Sequence, residues 1–324
     1  MKKLFFLITA TMVIFSCENM ETIVDLDIPD HESLLVLNGV LDTDTTVKVL
    51  ISHSVGAFSQ QIPNSINDAQ ALLFNDGIFI DTLRVNMSDT MSYYFNNSGS
   101  YESIQMHYYE SLITPNKNST YTIEVNHNNY PSISASTYIP EDIDVYNINI
   151  DTLSNEDQIG FNFSFIDNGN TDNYYRLKLF ASCTKEWEDE NGYIESLSYN
   201  GQAWMMSNDP SFPNNNGFFD DGGYTFEGNQ VVFSDALFNG EEKNIRLDVD
   251  AEMDGYKYQN CDTLQIQFSV FSSDTYSYYN SLSEHRDEGE LNIFGGEVIP
   301  VYSNVENGLG SLISTNAQII QIKP

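Results

Sequence analysis

Phe161, Phe163 and Phe165 alternate with Asn162 and Ser164, and this two-residue period constrains the fold more than any other feature of the chain. Successive side chains of an extended strand point to opposite faces, so the run puts three rings on one side and polar groups on the other. Val47–His53 and Tyr121–Val125 begin or hold the same alternation. Compact runs rich in β-branched and aromatic residues add further strands at Leu34–Leu41, Ile133–Ile139, Tyr174–Ala181, Val231–Phe233, Ile245–Val249 and Leu264–Phe271. Ala69–Phe74 and Ile78–Leu83 flank Asn75-Asp76-Gly77, an Asp-Gly turn signal for a hairpin. A helical period is confined to 273–286, where Tyr276, Tyr279 and Leu282 follow a Ser/Asp cap.

These signals predict an all-β chain. An N-terminal Ig-like β-sandwich is expected over 33–140, closed by Pro140, and a second β-sandwich-like domain over 141–324 with one short helix at 273–286. Within the second domain, 208–229 is rich in Gly, Asn, Asp and Phe and reads as a long loop. Loops of that length in a compact domain are usually functional or disordered.

The start of the chain is of another kind. Lys2 and Lys3 precede an apolar run from Leu4 to Phe15, then Ser16 and Cys17. A basic segment, a short apolar segment and a small residue form a secretory leader. The cysteine at the cut makes it a lipoprotein signal peptide over 1–16. Diacylglycerol on the Cys17 thiol and an acylated new amino terminus are the expected modifications. The apolar run is too short for a spanning helix, which needs about 20 residues. Residues 17–32, with Glu18, Glu21, Asp25 and Asp27, read as an acidic tether, either an export signal or a solvated spacer.

Charge narrows the partners. The full chain carries a formal −34, and removing the leader with its two lysines makes the remainder more negative. Such a surface repels phosphate backbones and anionic lipid, which excludes nucleic acid and an electrostatic grip on membrane. The membrane contact expected is the lipid anchor alone.

Chemistry is sparse. The five histidines, His31, His53, His107, His127 and His285, fall in no motif with a mechanism, and no enzyme activity is expected. Cys183 and Cys261 each lie beside a strand. Outside the cytoplasm they form a candidate disulfide, provided that the two strands are neighbours. Asp209, Asp220 and Asp221 supply hard oxygen donors in the long loop and are the candidate Ca²⁺ ligands, although Asp is also a common turn former. Asp167–Asp172 is a weaker cluster of the same kind. Trp187, Trp204, Phe218 and Phe219 lie in or beside loop-like segments and are the candidate ligand-binding aromatics. Such rings suit sugar stacking or protein contact, or they fold back to cap the sandwich.

Several segments, taken in order, resemble one family: Leu35-Val36-Leu37-Asn38-Gly39 after the acidic tether, Asp68–Gly77, Tyr121–Val125, Phe233–Gly240 before Tyr276–Tyr279, and finally Ser303-Asn304-Val305-Glu306-Asn307-Gly308-Leu309-Gly310. Together they are similar to a Bacteroidota outer-membrane lipoprotein family of unknown function, whose members are typically encoded beside TonB-dependent receptors. The likeness covers nearly the whole mature chain. It implies a surface lipoprotein in the outer membrane that assists a TonB-dependent transporter in nutrient uptake, and it carries no catalytic residues with it. A free-standing glycan-binding or adhesin module is the alternative, and a surface hydrolase the more distant one. After Gly310 the pattern calls for an aromatic, where Ser311-Leu312-Ile313 stands instead.

Overall fold

In the computed structural model, residues 31–56, 62, 64–97, 100–152, 158–215, 223–250, 252–253, 256–257, 261–288 and 299–323 are described. Among the described residues the chain is all-β with one short helix. The first seven strands are β1 (Leu35–Asp42), β2 (Lys48–His53), β3 (Gln70–Asn75), β4 (Ile78–Asn97), β5 (Ser100–Glu110), β6 (Ser119–His127) and β7 (Tyr130–Ile139). Next come β8 (Val145–Thr152), β9 (Gln158–Ile166), β10 (Tyr174–Glu188), β11 (Ile194–Ala203), β12 (Met205–Ser207), β13 (Phe226–Gly228), β14 (Gln230–Ser234) and β15 (Glu242–Asp250). After the short pair β16 (Glu252–Met253) and β17 (Tyr256–Lys257) follow β18 (Cys261–Phe271), helix α1 (Ser273–Glu288), β19 (Val305–Glu306) and β20 (Leu309–Lys323).

The expected hairpin forms: Asp76 and Gly77 both take positive φ (47° and 76°), and β3 pairs with β4 around them. That turn matches the twist of the flanking strands, which is why Asp-Gly specifies it. β4 then changes layer. Its first residues pair with β3, and from Arg84 onward it pairs with β5, with a register break between Asn86 and Thr90. The Asn86 side-chain oxygen accepts the backbone N–H groups of Ser88 (2.9 Å) and Asp89 (3.2 Å), satisfying donors that the break takes out of the ladder.

The result is a sandwich. β1, β2 and β5 face β3, β6 and β7, and the inward positions of both layers merge in one aliphatic core. Leu35, Leu37, Val49, Ile51, Leu73, Ile123 and Val125 are fully buried there. Two tyrosines complete it without stranding a polar atom: the Tyr109 hydroxyl accepts from the Ala69 N–H, and the Tyr121 hydroxyl from the Asn116 N–H.

A second sandwich packs the sheet β13-β12-β15-β9-β8 against β11, β10, β18 and β20, with β14 also on β10. Phe161, Phe163 and Phe165 all face inward, as their period predicts, and meet Tyr175, Phe233, Phe238 and Phe268. The segment read as a long loop is structured at both described ends: β13 lies in it, and Phe212 is buried against Phe226 and Phe233.

β20 ties the two halves. Its first residues run parallel to β1 (Leu37 opposite Gly310), and its last residues run antiparallel to β18 (Phe268 opposite Gln318). Through it one sheet continues across the whole molecule, and Val305 and Leu312 from the C-terminal region belong to the first core. The parallel seam demands glycine. A Cβ on Gly310, whose φ is +100°, would collide with the Leu37 carbonyl oxygen, and one on Gly308 would crowd that of Leu35. Leu312, next to where an aromatic was expected, fills that core with no exposed area.

Candidate functional site

Between the sandwiches lies a cleft of about 890 Å³. Its walls are the 138–146 connection from β7 to β8, the 166–174 turn between β9 and β10, and the 270–274 entry to α1. Six carboxylates line it: Glu141, Asp142, Asp144, Asp167, Asp172 and Asp274.

Four carboxylates in or beside the cleft have partners that fix the walls. Burial pushes the Asp142 carboxyl up. The Lys117 ammonium, 2.6 Å from both of its oxygens, together with Asn316 and Gln318, more than offsets this and holds it below the usual range. Asp167 accepts from the Tyr175 hydroxyl and from the Gly240 N–H (2.8 Å). Asp235, just behind it, accepts the Asn173 N–H at 2.7 Å; burial first, and then the Asp167 charge, push its carboxyl up. Asp274 accepts from the Tyr302 hydroxyl at 2.5 Å, and burial with that carboxylate pushes the phenol up to about 12. These bonds join sequence-distant turns. They make the cleft wall a structural junction.

Two hairpins leave the sandwiches and present a different surface. β4 and β5 pair with each other from Thr90/His107 out to Asn97/Ser100, beyond the reach of β2 and β3. One face of this ribbon carries Met91, Tyr93, Ile104 and Met106. The other holds a polar ladder in which Thr90 donates to Gln105 and Gln105 to Ser92 (both 2.8 Å). Tyr94 stands out from the polar face at 69% exposure.

The second ribbon is the outer part of β10 and β11. β10 loses its pairing with β18 after Cys183, while its register with β11 continues to Glu188 opposite Ile194. The short β17 also lies alongside β10. Trp187 (40% exposed) and Leu197 (54%) share one face, and Ile194 (75%) lies on the other. Tyr193, 72% exposed, stands in the turn. That turn is built, not slack: the Asp189 carboxylate accepts N–H groups from Asn191 (2.9 Å) and Tyr193 (2.7 Å), and Gly192 has a φ of +84°.

The sequence-predicted positions distribute unevenly over these features. Trp187 sits on the second ribbon, in a strand rather than a loop, and Trp204 is half exposed at the junction of β11 and β12. Phe218, Phe219, Asp220, Asp221 and Cys17 lie outside the described residues. Asp209 accepts from Lys243 Nζ (2.7 Å) and from the Ser211 N–H (2.9 Å), a turn fastened by an ion pair. No group of three or more His, Cys, Asp or Glu is placed to hold a metal ion among the described residues. Cys183 and Cys261 are opposite each other in the β10–β18 register, so the two strands are indeed neighbours. Sequence reasoning missed the ribbons as such. The turn signal Asp189–Gly192 between Trp187 and Ile194 was the available clue.

A family model described as "Domain of unknown function (DUF4249)" matches residues 21–319. No curated protein matches the chain.

Proposed function

The chain belongs to the DUF4249 family, a domain of unknown function, and on that premise we propose that it is a non-catalytic, lipid-anchored lipoprotein of the outer-membrane surface that docks with a TonB-dependent transporter and assists nutrient uptake. The observation that carries the docking role is the pair of free ribbons. A two-stranded hairpin is marginal alone in water. These two nevertheless run past their sandwiches with large apolar side chains in solvent, the signature of a surface awaiting a partner. A tether from Cys17 to Leu35 spans at most about 60 Å when fully extended, enough to hold the body above a bilayer within reach of a barrel.

Mild detergent extraction tests the reading. The lipoprotein should co-purify with a large outer-membrane barrel, and the Cys17→Ala form should lose both fatty-acid labelling and that association. Recovery of the acylated lipoprotein alone from cross-linked cells would overturn it. A second reading, glycan binding, draws on the half-exposed Trp204. It predicts signals on a glycan array that Trp204→Ala abolishes.

A further inference from the structure

The two ribbons are alike in build but unequal in charge, and that contrast identifies the kind of partner. Residues 90–107 contain a single carboxylate, Glu102, and no lysine or arginine. Residues 184–198 contain Glu186, Glu188, Asp189, Glu190 and Glu195 against one lysine, Lys185. Asp189 is used in closing the turn. The four glutamates are all exposed and are interleaved with the apolar groups: Glu195 is opposite Trp187, and Glu188 is opposite Ile194.

We propose that the tip of the β10–β11 ribbon docks onto a protein surface that combines an apolar groove with lysine or arginine side chains; this rests on the docking role inferred above and specifies its partner. Trp187, Leu197 and Ile194 supply the area that gains from leaving water. The glutamates around them select against the alternatives. An anionic lipid headgroup layer repels the tip, so the exposed rings are not a membrane wedge. A neutral apolar groove would bury carboxylates without partners, at a cost that cancels the gain from the rings. A basic rim turns the same glutamates into charge-paired contacts that also steer the approach. The β4–β5 ribbon, with Glu102 as its single carboxylate, has no such selectivity.

Photo-cross-linking in the native membrane tests this with the full lipid-anchored protein. A benzophenone amino acid replaces Tyr193 in one strain and Tyr94 in another, and cross-linked peptides are sequenced. From position 193 the expected targets are barrel segments with an excess of lysine and arginine. The quadruple variant Glu186→Gln, Glu188→Gln, Glu190→Gln, Glu195→Gln keeps Asp189 and hence the turn. Its yield should fall roughly fivefold, the combined worth of a few exposed ion pairs. Added salt should lower the yield of the parent in the same direction. Cross-links to lipid, to segments without basic residues, or a yield within about twofold of the parent would overturn the proposal while leaving docking intact. Absence of any barrel cross-link from both positions would instead remove the docking role itself.

Discussion

The two sandwiches solve the same packing problem with different side chains. The first core is aliphatic, built on Leu35, Leu37, Ile51, Leu73, Ile123 and Val125. The second is aromatic, with Phe163 and Phe268 edge to face at 6.0 Å and Tyr175 stacked on Phe268 at 5.5 Å. Aliphatic cores accept exchanges of similar volume, because dispersion contacts have no direction. Rings have preferred mutual angles, and a buried phenol needs a partner for its hydroxyl. The aromatic core therefore depends on polar fasteners such as Tyr175 to Asp167, and the cleft wall is built from them. The difference teaches that the second half is the more easily broken by single changes, and the following outcomes test it.

The largest effect expected is from a cross-link confined to that half. The first sandwich, 33–140, has no cysteine, whereas Cys183 and Cys261 share a register position in the second. We propose that they are joined. Oxidised protein should show no thiol titrating on denaturation apart from any unacylated Cys17. Replacing both by serine should lower stability by about 4 kcal/mol on the chain-entropy account. Two reactive thiols in freshly isolated protein would remove this asymmetry.

Next in size is Phe163→Ala, which should cost about 3–5 kcal/mol in urea unfolding, against about 2–4 kcal/mol for Leu73→Ala in the first core. Both side chains are buried to within 1%. Equal or reversed costs would break the comparison. Both tryptophans, Trp187 and Trp204, are in the second half, so their fluorescence reports on it selectively. Gly310→Ala asks whether the halves are separable at all. Its Cβ would strike β1 at a φ that L-residues avoid, and a loss of roughly 1–3 kcal/mol is expected. Because β20 belongs to both sandwiches, tryptophan fluorescence and far-UV dichroism should shift together; movement of one probe alone would show that the seam does not couple them. Smaller again, Tyr175→Phe removes the donor to Asp167 and leaves that carboxylate the Gly240 N–H, for about 1–2 kcal/mol.

Much of this architecture was legible in the residues. Phe161, Phe163 and Phe165 face one way because strand geometry leaves no choice, and Asp76-Gly77 turns where its φ values permit. Helix α1 starts where a serine can cap it; the Ser272 hydroxyl accepts the Thr275 N–H at 3.2 Å, and Tyr276 stacks on Tyr174. What stayed hidden is non-local. Nothing in Leu309–Lys323 announces a parallel partner some 270 residues earlier, and Lys243 gives no sign of reaching back to Asp209. The ribbon tip resembles a loop in sequence because glutamates interrupt its apolar positions on both faces. A strand with two wet faces has no alternation to detect.

The finest distinction concerns two aspartates that titrate in opposite senses. Asp235 belongs to the polar lining of the aromatic half, and burial with the nearby Asp167 charge raises its folded-state pKa above the unfolded value. Ionisation therefore costs the fold something. The penalty is absent below the unfolded pKa and complete once pH has risen through the folded one. Asp142 sits at the junction. Burial opposes its charge, but Lys117 with Asn316 and Gln318 wins, so its folded pKa is lowered. Its contribution is present above the unfolded pKa and is lost as pH falls through the folded value. At pH 7.5 Asp235→Asn should then raise the thermal midpoint slightly, because amide oxygen can still accept the Asn173 N–H, while Asp142→Asn should lower it. Near pH 3 both differences should shrink toward zero. Scanning calorimetry of the two variants at both pH values checks the signs. A lower midpoint for Asp235→Asn at pH 7.5 would mean that the hydrogen bond to Asn173 outweighs the burial of the charge, and the contrast in sign between the two aspartates would disappear.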